Sequence, residues 1–187
     1  YTDLDNAVYI IGMLGLNECV KRITGKELHE SDEAYKAGMK IMSSMFLKAK
    51  KLSTENKLKI HLEESPAESA AYRLAKVDMI HYSEAKDYVL GNKEAGSVYY
   101  SNSVHLRADA PISLFERIEK QSKFHPLLEA GAIVHAFIGE QKPSATAIAS
   151  LVEKTFNNTQ CSQITISPTF YTCDDCLHLW RGKDGTN

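Results

Sequence analysis

Cysteine is scarce in this chain. The four in 187 residues are irregularly spaced, which excludes the disulfide framework of a small secreted domain and points to a reducing, cytoplasmic setting. Long apolar runs are missing too. The longest, around residues 8–16 and 130–138, are too short to span a bilayer, so no membrane role is expected. Neither sign of charge dominates: 22 basic against 24 acidic residues leave a net charge of −2. That argues against nucleic acid as a partner, although a phosphate site needs only local charge and dipoles. There are no repeats and no low-complexity tract. Tyr1 opens neither a signal peptide nor a natural start, so the chain is expected to be cut at its front. What remains is an ordinary globular composition, 43% hydrophobic, long enough to bury a core as one large or two small domains.

The hydrophobic pattern alternates between strand and helix. Residues 6–15 predict a buried strand through Val8, Ile10 and Ile11, followed by a helix over 17–24 that Gly25 ends. Ser31 opens a helix over 32–52, with Ala37, Ile41, Met45 and Ala49 as its apolar stripe. A short strand over 57–62 leads to Pro66, where a first helical turn tolerates proline, and to a helix over 67–82. Residues 98–106 read as β-like. Pro111 opens a helix to about 121, a buried strand covers 132–138, a helix covers 144–156 and a strand covers 163–167. This alternation predicts an α/β architecture with parallel pairing.

The strand-to-helix junction Glu63-Glu64-Ser65-Pro66-Ala67-Glu68-Ser69 is the richest candidate site. Unpaired backbone N–H groups of Ala67, Glu68 and Ser69 at the positive end of a helix, two serine hydroxyls and small neighbours are the equipment of a phosphate cradle. The same residues can form an ordinary capping box, with Ser65 as N-cap and Glu68 three residues on. Glu64 and Glu68 can also be read as a carboxylate pair for proton transfer. In Tyr99-Tyr100-Ser101-Asn102-Ser103-Val104-His105, Asn102 and His105 either bond a substrate or satisfy neighbouring loops. Cys19 reads as a buried helix cysteine with nothing adjacent to lower its pKa, and Cys161 as a more exposed loop cysteine. His125 and His135 read as loop and core histidines without a second ligand at metal spacing.

Cys173-Asp174-Asp175-Cys176 is half of a tetrahedral zinc site: two thiolates grip one edge of Zn²⁺, but a closed structural site needs four ligands. His178 is too close to serve as a zinc-finger histidine. A thioredoxin-like redox pair is the rival reading, though Leu177-His178-Leu179-Trp180 suits a zinc-ribbon knuckle better.

Taken together, several segments resemble the anaerobic (class III) ribonucleoside-triphosphate reductases, which are glycyl-radical enzymes. They are Ile11-Gly12-Met13-Leu14-Gly15-Leu16-Asn17-Glu18, Ser65-Pro66-Ala67-Glu68-Ser69, Tyr99 to His105, and His125-Pro126-Leu127-Leu128. Gly131-Ala132-Ile133-Val134-His135 and Ile166-Ser167-Pro168-Thr169-Phe170, which runs into the CxxC, complete the set. The resemblance implies the C-terminal part of a ten-stranded α/β barrel over 1–170, then the start of a zinc-binding segment over 171–187. It implies a phosphate-binding role for Ser65, Pro66, Ala67, Glu68 and Ser69, a catalytic contact for Glu68, and a substrate-proximal place for Asn102 and His105. Cys173 and Cys176 become two of four Zn²⁺ ligands. In the parent enzyme it implies a homodimer, a ribonucleoside triphosphate substrate, and a glycyl radical installed by a radical-SAM activating enzyme. Arg181-Gly182-Lys183-Asp184-Gly185 does not match the radical segment, and Cys19 does not sit in the thiyl-loop pattern. This piece alone is therefore expected to be inactive. A glycyl-radical enzyme of the pyruvate formate-lyase kind and a non-enzymatic zinc-ribbon module are the alternatives.

Overall fold

The computed structural model describes residues 3–4, 6–139, 141–173, 176 and 178–180. Asp174, Asp175 and residues 181–185 lie outside them. The chain begins with strand β1 (Val8–Gly12), which runs into helices α1 (Leu16–Thr24) and α2 (Asp32–Asn56). Strand β2 (Lys59–Glu63) then returns parallel to β1, pairing Val8 with Lys59 and Gly12 with Glu63. Helix α3 (Glu68–His81) leads to an antiparallel hairpin of β3 (Leu90–Asn92) and β4 (Ser97–Tyr99). After α4 (Leu114–Ser122), strand β5 (Val134–Gly139), α5 (Ala145–Asn158) and β6 (Ile164–Pro168) make a second parallel strand–helix–strand unit. A last hairpin joins β7 (Tyr171–Thr172) to β8 (Leu179–Trp180).

The α/β alternation is therefore present, but the barrel is not. Among the described residues the eight strands fall into four separate two-stranded sheets. The expected buried strand over 6–15 needs the same correction. All five β1 residues are exposed, Val8 at 52% and Ile10 at 50%. A strand apolar on both faces has the composition of an interior parallel strand, yet among the described residues β2 is its one paired neighbour.

Local chemistry explains the helix starts. Ser31, Ser113 and Ser144 each sit in extended backbone and accept a hydrogen bond from the N–H three residues on, at 3.2 Å in each case. Helix α4 accordingly opens at Ser113 rather than at Pro111. In α2 the buried residues are Ala34, Gly38, Met42 and Ala49, with Met45 packed beside them. The stripe is thus rotated from the expected one. Steps of four, four, three and four stay on one face of a 3.6-residue helix, whereas repeated steps of four drift off it.

The main core joins α1, α2 and β2 to the chain around 104–106 and 124–132. Val20, Leu28, Met42, Leu62, Val104 and Phe124 are fully buried in it. Smaller clusters sit beneath the β3–β4 hairpin (Ala75, Val89, Val98) and between α4, β5 and α5 (Ile118, Val134, Cys161). Phe124 meets Tyr35 edge to face at 5.5 Å between ring centroids. Phe124→Ala should cost about 3–5 kcal/mol in urea unfolding; a loss below about 1 kcal/mol would show that the core does not close around this ring.

Candidate phosphate-binding site at the start of helix α3

Strand β2 ends at Glu63, level with Gly12 of β1. A Cβ on Gly12 would stand 2.5 Å from the Ser65 hydroxyl oxygen, so glycine is what lets the Ser65 segment lie against β1. Helix α3 starts later than Pro66 suggests. Its N-cap is Ala67, whose φ of −142° and ψ of 43° are not helical, and no side chain caps it. The capping-box reading therefore fails: Ser65 is outside the helix, and its hydroxyl donates to Glu63. The first helical bond runs from Ala71 N–H to the Ala67 carbonyl at 2.8 Å. The N–H groups of Glu68, Ser69 and Ala70 stand ahead of that ladder at the positive end of the helix, one residue further on than expected.

Three glutamates flank these donors, and each is held by another group. Glu63 accepts from Ser65. Glu68, exposed, accepts from Asn102 Nδ2 at 3.2 Å. The Glu64 side chain is 1% exposed, with Oε1 2.8 Å from His105 Nε2 and Oε2 accepting from Ile133 N–H at 2.7 Å. The proton-transfer pair expected of Glu64 and Glu68 is thus replaced by a Glu64–His105 pair. His105 Nε2 also lies 3.1 Å from the Ile133 carbonyl. Two acceptors on one nitrogen require it to carry hydrogen. Burial alone would lower the His105 pKa, but the Glu64 hydrogen bond and charge, with the Ile133 carbonyl, outweigh it and raise the value above ordinary histidine.

The segment carrying Asn102 and His105 is a strand only to Tyr99; beyond that it is a loop. Glu18, at the start of α1, holds it in place. Its Oε2 accepts from the Ser101 N–H at 3.0 Å and hydroxyl at 2.8 Å, while Oε1 accepts from Asn17 Nδ2 at 3.1 Å. Gly15 N–H adds a bond to the Ser101 carbonyl at 2.8 Å, and Asn102 bridges to Leu14. Buried Ser103 adopts a positive φ of 45°, a conformation that needs surrounding structure to hold it. The role of Asn17-Glu18 as this clamp was not legible in the sequence, because its partner is 83 residues away.

Two open cavities, of about 550 and 710 Å³, share Glu68, Asn102, His105, His135 and Phe137 as a common wall. Ser65 and Pro66 line the larger one. Along the wall, His105 meets His135 edge to face at 5.4 Å, and His135 stacks on Phe137 at 5.9 Å. The Arg117 guanidinium lies 5.4 Å from the Phe137 ring. Arg117 is itself buried and donates to the carbonyls of Leu106, Arg107 and Ala108. Burial, reinforced by the His105 charge, holds His135 below the ordinary histidine range despite Glu64 and Glu68 nearby. His125, fully enclosed rather than in an open loop, is likewise lowered by burial; its Nδ1 accepts from the Ser162 N–H at 3.0 Å.

The expectations for the two upstream cysteines exchange places. Cys19 is exposed, whereas Cys161 is buried among Ile118, Val134 and Leu151. Burial pushes the Cys161 thiol up, and the thiol donates to the Gln163 carbonyl at 3.1 Å. Cys173 and Cys176 lie in the turn of the β7–β8 hairpin, where Cys173 N–H bonds the His178 carbonyl at 2.9 Å. Among the described residues no group of three or more metal-ligating side chains assembles.

The fold class is a mixed α/β domain, and solved structures share it. A protein described as an anaerobic ribonucleotide reductase superposes with a TM-score of 0.74 at 21% identity, over 97% of this chain and 28% of that one. The Thermotoga maritima anaerobic ribonucleotide reductase in complex with dATP and CTP superposes with a TM-score of 0.70 at 19% identity, over 93% and 28%. The anaerobic ribonucleoside-triphosphate reductase of phage T4 is 24% identical over 132 residues, 71% of this chain. The sequence pattern of the anaerobic ribonucleoside-triphosphate reductases matches residues 2–185, and the chain belongs to that family. It spans about a fifth of the phage protein, 19% of its length.

Removing one partner from a buried ion pair leaves an uncompensated charge or donor. Glu64→Ala should therefore destabilise the chain by about 3–5 kcal/mol, while Glu63→Ala should stay within about 1 kcal/mol. Urea unfolding of the two variants measures the difference, and equal losses would deny Glu64 its role.

Proposed function

We propose that this chain is a C-terminal portion of the catalytic subunit of an anaerobic ribonucleoside-triphosphate reductase, and that the start of α3 holds the substrate's phosphates. The observation that carries this reading is the set of donors at Glu68, Ser69 and Ala70. They stand at the carboxyl end of a parallel strand, with no side-chain cap over them. Open α/β sheets place ligands at that end of their strands, and an uncapped helix start is an anion site. The charges of Glu63, Glu64 and Glu68, which would oppose a phosphate, are taken up by Ser65, His105, Ile133 and Asn102. Family membership and the nucleotides named for the Thermotoga structure support the same assignment.

In this reading the substrate is a ribonucleoside triphosphate and the subunit works as a cytoplasmic homodimer. Ser69 and the backbone N–H groups bind phosphate oxygens. Ser65 joins them when its hydroxyl turns from Glu63, and Glu68 and Asn102 form the polar wall beside the ligand. Reduction of the ribose would draw on a glycyl radical, installed by a radical-SAM activating enzyme, in segments other than those described. Cys173 and Cys176 would supply two of the four ligands of a structural Zn²⁺.

Hydrogen bonds to a charged group contribute about 1.5–3 kcal/mol each, so Ser65→Ala with Ser69→Ala should weaken CTP binding at least about tenfold. Calorimetric titration of the whole chain reads this directly. Unchanged CTP affinity in the double variant would remove the cradle.

A further inference from the structure

His105 stands on the boundary between the two cavities, and it is chemically unusual there. Its Nε2–H bonds the Ile133 carbonyl at 3.1 Å, and the same nitrogen stands 2.8 Å from Glu64 Oε1, so one side of the ring is engaged with the scaffold. The side chain nevertheless remains 19% exposed and lines both cavities together with Glu68 and Asn102. The ring thus touches the buried carboxylate that immediately precedes Ser65 and, at the same time, lines both cavities that meet Glu68, the first residue of α3.

We propose that His105 is a positioning residue for the phosphate-binding segment, a resident cation that clamps Glu64 at the root of the segment and supplies positive charge to the cavity wall; this rests on the phosphate reading above. Without that charge, Glu63, Glu64 and Glu68 would leave the approach to α3 negative, however each is hydrogen-bonded. With it, Glu64 is neutralised in place. The N–H of Ile133 and the ring of His105 then hold the end of β2 against the chain entering β5.

The groups facing His105 come from every neighbouring element: Glu64 at the end of β2, Glu68 on α3, Arg117 on α4, His125 in the turn after α4 and His135 on β5. His125 and His135 are held below the ordinary histidine value by burial, and Arg117 keeps its charge through neutral pH. His105, raised above that value, is therefore the group in this set that loses its charge as pH rises from neutral. The sign follows: the clamp is complete below pH about 6.5 and fails as pH passes the raised value.

The test uses the whole chain, with inorganic triphosphate and CTP as probes. Binding is measured from pH 6 to pH 9 for the native chain and for His105→Gln, which keeps a donor near Glu64 but cannot be charged. Both proteins meet the same ionisation of the probe, so the difference between their profiles reports His105. Native affinity should fall about tenfold more than that of His105→Gln across this range. In parallel, the His105 ring signal in NMR should titrate above the ordinary histidine range, and Glu64→Gln should shift its midpoint down. Matching binding profiles in native and His105→Gln, or a ring midpoint that ignores Glu64→Gln, overturn the inference and leave the cradle standing. If the native chain binds neither probe at any pH, the phosphate reading itself falls and takes this inference with it.

Discussion

The carboxylate of Glu64 lies out of reach of water, and three distant pieces of chain converge on it. Strand β2 delivers it, the loop after β4 brings His105, and the segment entering β5 brings the Ile133 N–H. A buried carboxylate is costly unless paired and hydrogen-bonded, so the sequence can keep it only where all three pieces meet. That makes the interaction a geometric constraint as much as an attraction. Glu64 immediately precedes Ser65, so its fixed position sets where the chain turns and where α3 begins.

Glu18 repeats the device one layer away. Its carboxylate, at the first turn of α1, takes both donors of Ser101 and thereby sets the loop that presents Asn102 to Glu68. Glu27 is a third buried acid, 3.1 Å from Lys21 and 3.3 Å from Arg107. It ties the chain between α1 and α2 to the segment that follows His105. Loops carry the polar groups here, and buried acids on neighbouring elements keep those loops in register with the helix start.

Features with local causes were legible in the sequence. Ser31 and Ser144 predict helix starts because a serine cap acts on the N–H three residues on, and the two parallel strand–helix–strand units follow from hydrophobic alternation. The strand-to-helix junction was visible in Ser65-Pro66-Ala67-Glu68-Ser69. Its capping pattern was not, since Ser65 bonds back to Glu63 and Ala67 takes the cap position. Long-range pairing was hidden. Nothing near Glu64 announces His105, and nothing near Glu18 announces Ser101. Cys19 and Cys161 were misplaced because burial is a tertiary fact: α1 buries Leu16, Asn17, Glu18 and Val20 but not Cys19, and the loop after α5 packs Cys161 against Ile118 and Val134. The barrel expectation came from resemblance alone, and the two parallel pairs do not close on themselves.

A chain spanning about a fifth of the phage relative can still contain one complete functional element. In this account that element is the uncapped start of α3, with its acids tied back. The most direct measurement is a crystal structure of the whole chain grown with inorganic triphosphate. The account predicts phosphate oxygens within hydrogen-bonding distance of the N–H groups of Glu68, Ser69 and Ala70, with Glu64 still bound to His105 and Ile133. Triphosphate bound elsewhere while those three donors face only water would contradict it.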